Sequence, residues 1–358
     1  MSEELAIKLE RIREWLAKKQ AGGILLSSMA SFSWICGGRG HVGLAAEQAC
    51  GKILVTESAC YLLINNIEAK RIENEELLVS GMSVESFPWD QPEQEQAVVD
   101  RLMQGKPWLV EQQEAVEFAP LRWLLTEQEL YRYRQAGQAV ARALEKTCRQ
   151  IRPSETELQI AARLAAYCLE AGVDPILQLV AVDERAAQYR HPVPTSKRLE
   201  KYALVAVGGR KNGLVVSATR CVHLGPLPDE LAQRHRDAAH VDAELIATTR
   251  PGIPVKALFA RLQQRYAELG YPEEWREHHQ GGLTGYLSRE YRATSRSAEI
   301  VQERQAFAWN PTIRGTKSED TILVLDRGNE IITETGEWPL LTVEAAGSTI
   351  KRPAILVL

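Results

Sequence analysis

Three segments of this chain gather side chains that can move protons or hold ions. The first, RHPVPTSKRLEKYALVAVGG (190–209), sets His191 beside Pro192, ahead of an apolar run. The second, EHHQGGLTGYLSRE (277–290), leads from His278 and His279 into a glycine-rich turn and ends on Arg289-Glu290. The third, AWNPTIRGTKSEDTILV (308–324), carries Asn310, Lys317 and Glu319 and then reads as a strand. Imidazole, with an ordinary pKa of about 6.5, suits general acid–base work. Arginine can grip a carboxylate through two parallel hydrogen bonds. On its residues alone, His191 is equally well a loop histidine bonded to backbone. Glu319 divides in the same way between a site carboxylate and a structural one satisfied by Lys317 or Arg220. His278 reads as structural, and His235 and His240 as solvated residues of a charged helix.

Hydrophobic spacing predicts the elements that must position these groups. Leu5, Leu9, Ile12 and Leu16 recur at helical intervals until Gly22-Gly23 stops them. GILLSS then reads as a buried strand and GKILVTESACYLLINN as a hairpin, followed by the polar surface stretch WDQPEQEQ. This is an α/β layer of about 125 residues. A boundary near Leu125 precedes the capping box Thr126-x-x-Glu129, which opens a helix through Leu144. Ser154 and Glu157 are expected to start a second helix with Leu158, Ala161, Ala165 and Leu169 inside. The stretch AVGGRKNGLVVSATRCVHLG (206–225) reads as a tight hairpin, and 229–249 and 255–269 as amphipathic helices. From Gln305 onward the pattern is strand-like. The domains are therefore 1–125 and 126–358.

Composition narrows the function classes. With 43 Lys+Arg, 47 Asp+Glu and charges interspersed, no basic face is available to neutralise phosphates, which argues against nucleic acid. No apolar run approaches a membrane span. The charged, amphipathic opening MSEELAIKLERIREWLAKKQ does not read as a signal peptide, so a cytoplasmic protein is expected. Cys36, Cys50, Cys60, Cys148, Cys168 and Cys221 are scattered without a CxxC pair, so neither a thiolate zinc site nor a disulfide framework is expected.

In this order, His191-Pro192, the hairpin, His279 with its small-residue loop and Glu319-Asp320 resemble the family of Xaa-Pro aminopeptidases, prolidases, methionine aminopeptidases and creatinase. The resemblance spans nearly the whole chain. It implies an α/β fold: an N-terminal domain of the creatinase and prolidase type followed by a pita-bread domain. IRPSETELQIAARL is similar to the start of a family helix, with Ser154 where glycine is usual.

The family's peptidases hold two divalent metals with two aspartates, a histidine and two glutamates. Carried onto this chain, the five positions are Ala206, Ser217, His279, Asn310 and Glu319. One carboxylate and one imidazole cannot hold two hard dications, so no metal and no other cofactor is expected. Creatinase breaks a C–N bond without metal, and the resemblance gives its proton-transfer role to His191. Arg289-Glu290 is similar to the creatinase R-E pair, where peptidases usually show H-E; its spacing from His279 differs by about one residue. Arg289 would bind a substrate carboxylate, with Ser217 and Asn310 as neutral hydrogen-bond partners.

Tyr286 and Lys317 are further candidates for the pocket, with Arg220 supporting the hairpin beside it. In the creatinase branch a first-domain loop of the partner subunit completes the site. Carried onto WICGGRGH (34–41), this implies roles for Arg39 and His41 in a homodimer. Three functions stay open: a metal-independent hydrolase of a small carboxylate-bearing C–N compound, a binding module for a small molecule, short peptide or protein that no longer cleaves, and a metallo-aminopeptidase with substitute ligands.

Overall fold

Five short strands, the central ones buried along most of their length, build the first layer. They are β1 (Gly23–Ser28), β2 (Gln48–Thr56), β3 (Cys60–Asn65), β4 (Ser83–Phe87) and β5 (Trp108–Val110). Their order is β4-β3-β2-β1-β5, with β2 antiparallel to both neighbours and the outer pairs parallel. The helix Glu3–Lys19 buries Leu5, Leu9, Ile12 and Leu16. The computed structural model describes residues 1–358. They divide into two units, Met1–Gln128 with Asn212–Leu214, and Glu129–Lys211 with Val215–Leu358.

In the second unit, β6 (Asp174–Val182), β7 (Tyr202–Lys211) and β8 (Leu214–His223) lie side by side, β7 antiparallel to β6. The turn between β7 and β8 places Asn212 and Gly213 at φ 51° and 79°, the left-handed pair that tight hairpins need. A second sheet runs β10-β9-β11-β14-β15, all antiparallel. Its strands are β9 (Gly281–Thr284), β10 (Tyr291–Arg292), β11 (Ala306–Trp309), β14 (Asp320–Leu325) and β15 (Gly328–Ile331). Between β11 and β14 a small hairpin, β12 (Thr312–Ile313) and β13 (Thr316–Lys317), carries Lys317. The strands β16 (Leu340–Ala345) and β17 (Ser348–Pro353) cover the helix Asp229–Thr248, where Ala239, Ala243 and Ala247 meet Val343 and Ala345. Last, β18 (Leu356–Val357) pairs parallel with β8.

Several local expectations need correction. The helix Glu157–Glu170 is capped by Thr156, whose side chain and Gln159 form the reciprocal box. Ser154 instead adopts φ 65°, the left-handed conformation that favours glycine. Glu157 turns inward to accept from Val182 N and Thr195 N at 2.9 and 2.8 Å. Ile160, Ala161, Leu164 and Cys168 therefore form the buried face, while Leu158 and Leu169 are exposed. Trp34 to Cys36 end a wholly buried helix, Met29–Cys36, so the glycine turn begins only at Gly37. His235 is buried too, its ring nitrogens bonded to Thr316 Oγ1 and Pro353 O at 2.6 and 2.8 Å.

Beneath the second unit's sheets lies a buried charge network. Arg352 is fully buried and reaches Asp242 and Asp320 at 2.6 Å each; Arg220 meets Asp320 at 3.0 Å and Glu145 at 3.3 Å. Removing one partner of such a group strands the others without water. Arg352→Ala is therefore expected to cost about 3–5 kcal/mol, read as a lower urea midpoint.

Candidate functional site

Neighbouring strands of the second unit deliver the chemistry-bearing residues to one cavity of about 590 Å³. Ala206 and Val207 come from β7, Ser217 from β8, and Leu177 and Leu179 from β6. His279 precedes β9, Asn310 follows β11, Lys317 ends β13 and Glu319 precedes β14. His191 and Val193 come from the loop after β6, Leu287, Ser288 and Arg289 from the β9–β10 connection, and Arg292 from β10 itself. All five positions that the resemblance singled out, Ala206, Ser217, His279, Asn310 and Glu319, line this one cavity.

Backbone and side-chain ties hold them there. Val180 N bonds Pro192 O at 3.1 Å, and Arg190 is paired with Glu274 at 2.5 Å, which fixes the His191 loop on both sides. Gln280 donates to Trp275 O and His278 O and accepts from Tyr266 Oη, while Asn310 N donates to Gln280 O. Gly281 follows at φ 108°, where a Cβ would lie 2.2 Å from Ala308 O. Gly281→Ala should thus shift the strand that carries His279 and lower stability by at least about 1–3 kcal/mol, measured by thermal unfolding. Ser217 is tied to β14 by Thr321, whose hydroxyl accepts from Ser217 N at 2.9 Å and donates to Ser217 O at 3.0 Å.

Charge in the cavity is lopsided. Glu319, 4% exposed, is the only carboxylate in the lining. Lys317 Nζ stands 2.9 Å from it, Thr219 Oγ1 donates to it at 2.6 Å, and Arg289 Nη2 lies 3.5 Å away. Burial opposes its ionisation, but Lys317 and then Arg289 outweigh burial and hold the carboxyl below its ordinary range. Arg292, exposed at the mouth, adds a third cation.

The histidines are driven the other way. Burial first, then Lys317, push His191 and His278 down, and burial followed by Arg289 takes His279 to about 3. All three are neutral at pH 7. His191 Nε2 and His278 Nε2 are 3.0 Å apart, and the His278 and His279 rings stack at 4.4 Å. His279 Nδ1, Arg289 Nε and Asn310 Oδ1 are buried without a hydrogen-bond partner. Buried polar atoms are normally paired, so these orphans mark a wall built to meet something polar.

A stability test follows from the signs. His279 has a folded pKa below its unfolded value of about 6.5, so the unfolded chain binds the extra proton and stability falls as pH drops through that window. His279→Asn should flatten the slope of unfolding free energy between pH 6.5 and 5 by close to one proton, measured from urea titrations at each pH.

Two of the expected second-unit residues, Arg220 and Tyr286, are not in the cavity lining. Arg220 points away from the cavity, into Glu145, Asp320 and Thr333 O. Tyr286 is buried and donates to Glu129 Oε1 at 2.6 Å. In the first unit, Arg39 is paired with Glu76 at 2.8 Å, and the carbonyl of half-buried His41 accepts from Arg71 at 3.5 Å. From the sequence His278 reads as structural and Arg292 is not singled out, although Arg292 lines the cavity. Arg292 ends the short strand β10, three residues after Arg289.

The cavity also offers one other ligand set. Ring nitrogens of His191, His278 and His279 lie within 4.8 Å of one another, a spacing at which imidazoles can share an ion. The His278 and His279 rings are stacked 4.4 Å apart with planes differing by only 24°, however, so one ion cannot lie in the plane of both rings. Lys317 and Arg289 add repulsion.

The model of metallopeptidase family M24 matches residues 131–326, and the chain belongs to that family. An uncharacterised peptidase of Staphylococcus aureus (strain MRSA252) is 24% identical over 223 residues, 60% of this chain and 63% of its own length, so the match spans less than two thirds of that relative. The fold is that of an Xaa-Pro aminopeptidase from Thermotoga maritima (TM-score 0.77, 19% identity, covering 98% of this chain and 99% of that one). A prolidase from Pyrococcus horikoshii is nearly as similar (TM-score 0.76, 20% identity, covering 92% and 98%). Both the expected family and the expected pita-bread fold are thereby established.

Proposed function

We propose that this M24 homologue works without a dinuclear metal centre. In this reading it binds a small carboxylate-bearing compound in the cavity and hydrolyses a C–N bond in it, with His191 moving the proton. The observation that carries the proposal is the charge balance: Lys317, Arg289 and Arg292 face a single carboxylate that is already engaged. The donor set does not fit two hard dications. Ala206 offers no ligand, Ser217 and Asn310 offer neutral oxygens, and Glu319 cannot serve two metals while bonded to Lys317 and Thr219. The same cations suit an anion, and Arg289 can meet its carboxylate.

Neutral His191, at the mouth, would take a proton from water as the water oxygen bonds to the scissile carbon. It would return that proton to the nitrogen as the C–N bond breaks, so the imidazole ends as it began. The reading extends to a cytoplasmic homodimer. No helix is long and apolar enough to cross a membrane.

A second reading is favoured by one observation. Both Glu319 oxygens are engaged and His191 is paired with His278, so no carboxylate is free to assist. On that reading the cavity binds its ligand and leaves it intact.

Elemental mass spectrometry of protein purified without chelator and dialysed against manganese and zinc tests the metal-free claim. Occupancy near zero is expected. One or two tightly held ions per chain, with chelator-sensitive cleavage of Xaa-Pro dipeptides, would overturn it in favour of a metallo-aminopeptidase. Prolonged incubation with short peptides and N-acyl amino acids then separates hydrolysis from binding by the appearance of product.

A further inference from the structure

Opposite walls of the cavity differ in chemistry, and from that difference we infer that its ligand is a carboxylate joined to an aliphatic body, not a compact polar anion. The inference rests on the reading above that the cavity receives an anion, and it names the class of compound.

One wall is the face of β6 and β7. Leu177 and Leu179 alternate onto the same side of β6, and Ala206 sits directly opposite Leu179 in the antiparallel register. Leu179 and Ala206 are buried, and Val207 continues the lining. At Ala206, where the family's peptidases carry an aspartate, the methyl group packs in the same apolar cluster as Leu179. Toward the mouth the apolar lining continues into Leu177, Val193 and Leu287, which are 46%, 68% and 42% exposed. Single exposed apolar residues are ordinary, but three around one opening form a patch that a ligand can cover.

The other wall is polar and deep. Lys317, Asn310 and Glu319 are all under a tenth exposed, as is Ser217 on β8 beside β7, and Arg289 stands near Glu319. A bare carboxylate would leave most of about 590 Å³ unfilled and the leucines wet. Cavities of this size ordinarily enclose ligands with a substantial apolar body. An aliphatic chain running from the cations along β6 to the mouth would use both walls.

N-acylglycines from acetyl to octanoyl supply the probe, because they combine a carboxylate, a C–N bond and a chain of adjustable length. Isothermal titration should show affinity rising up to about fourfold per added methylene until the chain passes the mouth. The slope should collapse in the double variant Leu177→Asp/Val193→Asp, whose exposed positions leave folding intact by circular dichroism. The matching N-acyl aminoethanols, which lack the carboxylate, should bind at least tenfold more weakly. Acetylglycine binding with no dependence on chain length would overturn the aliphatic body and leave the anion reading standing. Equal binding of the aminoethanol series, or a slope unchanged in the variant, would overturn the inference as well. If no member binds at low salt, the anion reading falls with it.

Discussion

Replacing His191 by glutamine should lower the turnover of a cleaved N-acyl amino acid by about 10²–10⁴-fold while changing its affinity by no more than a few-fold. Glutamine keeps a hydrogen-bonding group of similar reach but cannot accept a proton at neutral pH. The split between kcat and affinity matters because His191 is at the mouth, whereas Lys317 and Arg289 are deeper. A purely structural role would lower stability and affinity together. Because burial and Lys317 depress the imidazole, its basic form is already filled at pH 7. The wild-type rate should therefore hold level from pH 8 down to about 6.5 and fall only below it. Turnover in the glutamine variant equal to wild type would remove His191 from the mechanism. Product absent from both proteins, with binding retained, would instead select the binding reading.

The second unit shows how much of such a site can be read from one sequence. His279, Asn310 and Glu319 each stand beside a strand of one antiparallel sheet, so motifs that look remote along the chain converge once β9, β11 and β14 pair. Ser217 and Arg220 show the limit and also a missed opportunity. Three residues apart on β8, they must face opposite sides of the sheet, so when Ser217 looks into the cavity Arg220 cannot. Thr219, two residues from Ser217, shares its side and does reach Glu319. That assignment was available from strand alternation alone.

Other errors had no local signal. His235 lies on a helix rich in charge, and what buries it are Thr316 and Pro353, which only the tertiary fold brings there. Tyr286 follows a glycine turn and finds its hydrogen-bond partner in Glu129, more than 150 residues earlier in the chain. The Glu157 side chain looks like a surface capping partner until the loop through Thr195 closes over it. In each case a polar group found its partner through long-range packing, which residue spacing does not encode.

The largest effect is expected from putting the missing carboxylates back. Ala206→Asp, Ser217→Asp and Asn310→Glu, combined with Lys317→Ala, would set four carboxylates and His279 around the same cavity and free Glu319 from its lysine. Without metal, this variant should be less stable than wild type, because like charges are forced together at buried positions. Manganese or cobalt would then bind the folded state and reverse the loss. At a free concentration 1,000 times the dissociation constant, the gain is about 4 kcal/mol for one site, enough to raise the unfolding temperature by several degrees. The wild-type protein should show no such shift with the same ions, and elemental analysis should find about two ions per chain in the variant alone. The outcomes separate alignment from reading. A folded variant that takes up no metal means the five positions do not converge as ligands. A wild-type protein that also gains stability with manganese means that Ser217, Asn310 and the engaged Glu319 suffice for an ion, and the metal-free reading fails. Uptake by the variant alone would show that the fold still holds the geometry of a two-metal hydrolase and that side-chain charge, not backbone, decides what the cavity accepts.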